Sequence, residues 1–316
     1  MIYTITLNPA IDHILNIKGK LTRGKTNRIQ ESSCLDVGGK GTHVSVGLKL
    51  LGYDNLCSAI LGEKDSEIFE ELLNQYQVET TFLKVEGQAM RHNYVLVDES
   101  NKGSLMAAEY GFPIKREIMK KFINSHLKEI KADDIVIISG NPSKDTPMEV
   151  FEYLLDVLVE RKVRLVADVS GEFLKTMLRY PLLFAKPNSH ELGETLACKI
   201  NSLEECYQVY LEYQPLLKNI EYLAVSMGAK GSIFLKNESA YIFYPPKVKT
   251  INDTGSGDAY VAGVVAAIVN EKSLSEIGRL ATAVGASKAL EPLSTGFDVK
   301  KVDELLEQVT YRKLGQ

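Results

Sequence analysis

Asn252-Asp253-Thr254-Gly255-Ser256-Gly257-Asp258 runs directly into the apolar stretch Ala259–Val269. Small residues ahead of a helix leave several backbone N–H groups unpaired at its start, and such groups form an anion hole. Asp258 then falls in the first helical turn beside that hole. A carboxylate there would also be accounted for by complementing the helix dipole, without doing chemistry. Two features favour chemistry instead. A Gly-Ser-Gly run costs more chain entropy than a cap requires, and the helix behind it is apolar enough to be buried. A carboxylate beside a phosphate-binding loop offers a proton acceptor together with charge stabilisation, as phosphoryl transfer to a hydroxyl requires. Asp258 is the candidate base, with Gly255, Ser256 and Gly257 as the cradle.

Other segments carry weaker signals. Gly19 to Thr26 satisfies the P-loop spacing GxxxxGK[ST]. A P-loop must open a helix, however, and the following Asn27 to Val37 reads as extended. Gly38-Gly39-Lys40-Gly41 is a better anion or polyol site. Paired glycines let backbone amides approach a ligand, Lys40 adds a positive charge, and a helix starting near Gly41 points its dipole toward the same spot. A tight turn with a solvated lysine accounts for the same residues. In Lys186-Pro187-Asn188-Ser189-His190-Glu191, Asn188 and Glu191 share one face at a helix start. Their oxygens suit Mg²⁺ through water, and they also suit a capping box, with which a metal role is compatible. Ser226-Met227-Gly228-Ala229-Lys230-Gly231 follows a strand, so it is either a nucleotide edge or a hairpin turn. Asp12 lies just after the first strand and is a candidate for sugar hydroxyls. Arg91 and Asn93 alternate to one face of a strand. Arg91 there could grip a phosphate, or both could line a solvated face.

The elements that must position these residues alternate along the chain. Apolar β-rich runs such as Ile135-Val136-Ile137-Ile138 are followed by amphipathic helical patterns. That alternation predicts an α/β fold with a doubly wound, mainly parallel sheet. Ser202 to Leu217 predicts one continuous helix. Two excursions, about residues 13–37 and 88–108, alternate like strands but lack a following helix. Strands of that kind are expected outside the central sheet, as a small lid on a single domain spanning 1–316.

The chain has 316 residues, 45% hydrophobic and 25% charged, with a net charge of -4 and a pI near 5.9. Nothing in that balance favours nucleic acid or an anionic membrane. The N-terminal residues lack a signal-peptide pattern, and no apolar run is long enough to span a bilayer. Four cysteines without CxxC spacing read as reduced thiols, so the expected location is the cytoplasm.

Taken in order, these motifs resemble the PfkB/ribokinase family of carbohydrate kinases, in its 1-phosphofructokinase and tagatose-6-phosphate kinase branch. The resemblance is carried by Thr6-Leu7-Asn8-Pro9-Ala10-Ile11-Asp12, Asn27-Arg28, Gly38-Gly39-Lys40-Gly41, and Ala167-Asp168-Val169-Ser170-Gly171-Glu172. It continues through Lys186-Pro187-Asn188 with Glu191, Ser226-Met227-Gly228, and Gly255-Ser256-Gly257-Asp258. It implies a ribokinase-like fold whose β-sheet lid covers the sugar site and pairs two subunits. It implies ATP and Mg²⁺, with Asp258 as base and Gly255, Ser256 and Gly257 as anion hole. Asp12, Gly38, Gly39, Lys40, His43 and Asn93 are then placed around a sugar, with Arg91 near its phosphate. Lys186, Asn188, Ser226, Gly228 and Gly231 border the nucleotide, and Asn188 and Glu191 organise the metal. The implied reaction moves the γ-phosphoryl group of ATP to a hydroxyl of a ketohexose phosphate, tagatose 6-phosphate or fructose 1-phosphate. An unphosphorylated sugar or nucleoside acceptor, or a non-catalytic sugar-phosphate sensor, would use the same fold. The sequence departs from the pattern at His43, where asparagine is usual, at Asp253, and at Lys144 in Ser139-Gly140-Asn141-Pro142-Ser143-Lys144.

Overall fold

The computed structural model describes residues 1–99, 104–237 and 239–315; residues 100–103 of the second expected excursion lie outside this set. The chain opens with β1 (Ile2–Thr6), β2 (Ala10–Ile17), β3 (Cys34–Gly38), α1 (Lys40–Leu50), β4 (Leu56–Lys64), α2 (Ser66–Asn74) and β5 (Glu79–Ala89). It continues through β6 (Arg91–Asp98), β7 (Ser104–Ala108), α3 (Arg116–His126), β8 (Ile135–Ser139), α4 (Met148–Glu160), β9 (Arg164–Asp168) and α5 (Gly171–Met177). Next come β10 (Leu182–Ala185), α6 (Ser189–Leu196), α7 (Leu203–Glu212), α8 (Gln214–Leu217), β11 (Ile220–Ser226), β12 (Ser232–Lys236) and β13 (Ser239–Tyr244). The last elements are α9 (Ser256–Val269), α10 (Leu274–Lys288), α11 (Val299–Leu306) and β14 (Thr310–Leu314).

A ten-stranded sheet has the order β14-β13-β12-β11-β10-β9-β8-β1-β4-β5. It is parallel from β11 to β5. Its central strands are apolar on both faces because helices cover both. Val136 and Ile138 of β8 join a core built with α3, α4, α5, α6 and α7. Ile135 and Ile137 of the same strand turn to α1, α9, α10 and α11. A period of two therefore sends neighbouring residues into two separate cores.

β12, β13 and β14 enter this sheet antiparallel, with no helix between β12 and β13. That corrects the expectation that strands lacking a following helix lie outside the central sheet: a short hairpin suffices for an antiparallel neighbour. The helix predicted over Ser202 to Leu217 divides into α7 and α8 at Tyr213, with proline in the first turn of α8. Proline has no N–H to continue a helical ladder but is well tolerated at a helix start.

The second sheet, β3-β2-β6-β7, is the predicted lid. In the expected strand from Asn27 to Val37, regular pairing covers only Cys34–Gly38, with an isolated bridge from Ile29 to Ile17. No helix follows Thr26. The P-loop-like segment is instead a turn clasped by Asn27, whose Oδ1 accepts from Thr22 N at 2.9 Å and whose Nδ2 donates to Thr22 O at 3.1 Å. Among the described residues no helix is long and apolar enough to cross a membrane.

Candidate active site

From β1 the chain builds outward through β4 and β5, whereas β8 to β11 build in the other direction. The carboxyl ends of β1 and β8 therefore flank a point where connections diverge, the usual ligand crevice of an open α/β sheet. Asn8 follows β1, Gly140 follows β8, Asp168 ends β9, Lys186 follows β10 and Ser226 ends β11. The lid is joined to this edge at two points, since β2 begins after Pro9 and β3 feeds α1 through Gly39.

α9 starts at Ser256 with Gly255 before it at φ 84, a left-handed conformation that favours glycine. Any side chain at Gly255 would also overlap the Ser294 carbonyl, so this turn is closed to other residues. A Cβ at Gly257 would lie 3.3 Å from Lys186 Nζ, which places that ammonium against the loop. Asp258 is where the sequence predicts it, but more enclosed, at 5% exposure. Its Oδ2 lies 2.7 Å from His43 Nδ1, and His43 Nε2 lies 2.9 Å from Val37 O. Burial alone would lower the His43 pKa; the hydrogen bond to Asp258 and the charges of Asp258, Asp12 and Asp36 outweigh it and raise it to about 9.

The inner face of the lid carries a polar row. Register aligns Asp36 with Asp12 and Asp12 with Asn93. Two carboxylates directly opposite on neighbouring strands repel, so the pairing needs compensation. Asn93 Nδ2 donates to Asp12 Oδ1 at 2.8 Å, and Asp36 accepts from the N–H groups of Thr295 and Val37 at 2.8 Å each. Burial still raises both carboxyls, with His43 opposing it. Arg91 lies on the same face as Asn93, as the alternation predicts. It donates to Asn8 O at 2.9 Å and to Asn93 Oδ1 at 3.3 Å. Asp36 carries no signal in the sequence, because nothing local distinguishes it from an ordinary strand residue.

Asp168 belongs to a motif of the family resemblance that assigns it no role; its partners appear only in the fold. It is 1% exposed, with Lys186 Nζ at 3.1 Å and Lys40 Nζ at 3.6 Å. Ser139 Oγ donates to its Oδ2 at 2.8 Å. Burial would raise its pKa, but the two lysines and this hydroxyl hold it below the ordinary carboxylate range. Asp168 in turn raises Lys40, against a smaller effect of burial. Two lysines predicted separately thus share one carboxylate, and Lys186 also lies against the Gly255–Gly257 loop.

Asn188 and Glu191 form the capping box: Asn188 Oδ1 accepts from Glu191 N, and Glu191 Oε2 accepts from Asn188 N, each at 2.8 Å. Among the described residues no group of three or more His, Cys, Asp or Glu converges to hold a metal ion. A divalent cation fits here only through water and substrate phosphates. A parallel bridge sets Asn188 beside Ser226. Ser226 and Gly228 lie where β11 turns by a 3₁₀ step into antiparallel β12, so the hairpin alternative describes the backbone. Gly231 serves that hairpin, where the Phe243 carbonyl leaves no room for a Cβ.

The departures at Asp253 and Lys144 acquire partners. Asp253 Oδ1 accepts from Ser104 N and Oγ at 2.9 Å each, tying lid strand β7 to the anion loop. Lys144 Nζ sits 3.8 Å from the centroid of the Tyr110 ring.

Lys288 of α10, 1% exposed, donates to Asn252 O at 3.2 Å beneath the same loop. Burial lowers it from the ordinary 10.5 to about 8, against the charges of Asp36, Glu291, Asp253 and Asp258. Between these values the unfolded chain binds the extra proton, so this residue makes stability rise with pH. Lys288→Met removes that contribution. The stability difference between variant and parent, from urea unfolding, is expected to shift by about 3 kcal/mol in the parent's favour from pH 8 to 10.5. A flat difference would place the lysine at its ordinary value.

Residues 5–299 match the family described as pfkB family carbohydrate kinase. The 1-phosphofructokinase of Bacillus subtilis is 32% identical over 317 residues, covering 99% of this chain and 100% of that one. The tagatose-6-phosphate kinase of Staphylococcus epidermidis is 28% identical over 312 residues, covering 98% of each. The crystal structure of phosphofructokinase-2 from Escherichia coli in complex with substrates and products superposes with a TM-score of 0.88 at 20% identity, over 97% of this chain and 98% of that one. With the predicted lid, the Gly-Ser-Gly-Asp loop and the charged crevice now in one place, the matched length decides the assignment: this chain belongs to the pfkB family of carbohydrate kinases.

Proposed function

We propose that this protein transfers the γ-phosphoryl group of ATP to a hydroxyl of a ketohexose phosphate, of the tagatose 6-phosphate or fructose 1-phosphate kind. The observation that carries the reading is the convergence at one crevice of Asp258, the Gly255–Gly257 loop, two lysines and the polar row of the lid. The names of the relatives at 28–32% identity support the same reaction. Asp258 takes the proton of the attacking hydroxyl while the amides of Gly255 and Gly257 and the Lys186 ammonium receive the charge of the transferring group; the Ser256 amide, expected in the same cradle, instead donates to Asp253 O at 3.2 Å. Lys40 stands at the acceptor end with Gly38 and Gly39. Asp12 and Asn93 bind sugar hydroxyls, and Arg91 meets the acceptor phosphate. Ser226, Gly228 and Gly231 border the nucleotide. Asn188 and Glu191 would hold Mg²⁺ through water, and the cation would supply charge neutralisation at the nucleotide phosphates. In a loose transition state such positioning and neutralisation do most of the work.

Two copies of the chain pair through the outer face of the lid, where Leu35, Tyr94 and Leu105 are exposed. The four free thiols suit the reducing cytoplasm.

The test is ADP release with fructose 1-phosphate, tagatose 6-phosphate, fructose 6-phosphate and the free sugars as acceptors. A phosphorylated ketohexose is expected to support turnover and the free sugars are not. Turnover confined to a free sugar or a nucleoside would replace the acceptor assignment. Absence of ADP release with every acceptor would leave a sugar-phosphate sensor.

A further inference from the structure

His43 stands in α1 at 7% exposure, its backbone N–H on Gly39 O at 3.1 Å. Its two ring nitrogens meet two oxygens, Asp258 Oδ2 at 2.7 Å and Val37 O at 2.9 Å. A carboxylate and a carbonyl can only accept, and the Val37 oxygen already accepts Thr295 Oγ1 at 3.0 Å. A neutral imidazole carries one N–H and one lone pair, so either tautomer would set a lone pair against an oxygen in a buried site. The imidazolium donates to both. The charges around the ring agree with it: Asp258 from α9, Asp12 from β2 and Asp36 from β3 face it. The cations of the cluster lie beyond these carboxylates, Lys288 of α10 and Lys40 of α1 acting on Asp258 and Arg91 of β6 acting on Asp12.

Val37 belongs to the lid and Asp258 to the anion-loop helix, so one ring joins the sheet over the acceptor to the group that must deprotonate it. We propose that His43 is a positioning residue for phosphoryl transfer, a cationic link that fixes the Asp258 carboxylate relative to the lid. This rests on the reading of Asp258 as base. With Oδ2 held by the ring, Oδ1 is the oxygen left for the acceptor hydroxyl. Loss of the ring proton breaks one of the two bonds and frees either the carboxylate or the lid strand. Activity therefore depends on His43 remaining protonated, and kcat falls as pH rises through about 9.

His43→Asn and His43→Gln keep a donor near Asp258 and abolish the titration. Each is expected to lose the alkaline decline near pH 9 and to lower kcat at pH 7 by about 10–100-fold, with KM changed by less than about threefold. A kcat at pH 7 within about twofold of the parent in both variants, or an unchanged alkaline decline in both, overturns the proposal. NMR titration of the five histidines reads the same link without turnover. One resonance is expected to titrate near 9 and to fall by at least about one pH unit in Asp258→Asn. If all five titrate near or below the ordinary 6.5, the cationic link is absent and the proposal fails even where the His43 variants do not fold. Near-normal turnover in Asp258→Asn, with the titration near 9 present in the parent protein, sinks the base assignment instead, so the two failures are distinguishable.

Discussion

Asp258→Asn is expected to lower kcat by about 10²–10⁴-fold, the scale of a lost general base, and by more where positioning is lost with it. ATP and sugar-phosphate affinity should change little. The amide oxygen can still accept the His43 hydrogen bond at the place where Oδ2 now lies, so the pocket keeps its shape. What the amide cannot do is accept the hydroxyl proton. Equal loss in kcat and kcat/KM, with nucleotide binding retained by calorimetry, is the signature of an interaction made only in the transition state. A variant turning over near the parental rate would remove Asp258 from the mechanism and return it to the alternative role of a helix-start carboxylate.

Asp168→Asn should cost folding stability more than any other single change at the site, about 3–5 kcal/mol, because it breaks a buried ion pair and leaves a charge behind. Lys186, 4% exposed, would keep its ammonium in the crevice without the carboxylate 3.1 Å away. Ser139 Oγ could still donate to the amide oxygen, so the loss is one of charge rather than of hydrogen bonding. The pH dependence fixes the sign. The folded-state pKa of Asp168 is depressed. Its contribution is therefore fully present above the unfolded carboxylate pKa of about 3.9 and is lost as pH falls through the folded value. The gap between parent and variant in urea unfolding should be constant near neutrality and close only in acid below that range. A variant within about 1 kcal/mol of the parent at pH 7 would show that the two lysines shed their charge into solvent.

Much of the scaffold could be read directly because its determinants are local. The apolar run of β8 and the apolar helix behind Asp258 are signals of period and composition, and both elements fall where predicted. The Gly255 turn and the Asn188–Glu191 box were equally legible, since each is settled within about one helical turn. Elements of mixed pattern carry no such local signal. α3 buries only Met119, Phe122 and Ile123 among charged neighbours, and β14 is an exposed strand held by its pairing to β13. Strand identity there comes from a partner far along the chain.

The amino-acid order alone determined the doubly wound class and singled out the small-residue loop that starts α9 with Asp258 behind it, because backbone conformation and hydrophobic period are set by neighbours in the chain. Which charges meet was decided by the tertiary structure. Asp36 opposite Asp12, Asp168 between two lysines, Lys288 beneath the loop and His43 against Asp258 are all pairs made by strand register and helix packing across tens to hundreds of residues. Coulomb energy depends on distance and burial, and neither is written in the spacing of residues along a chain. A histidine that reads as a lone departure from a motif becomes, once β3 and α9 close around α1, the ring that lies between Val37 O of the lid and the Asp258 carboxylate.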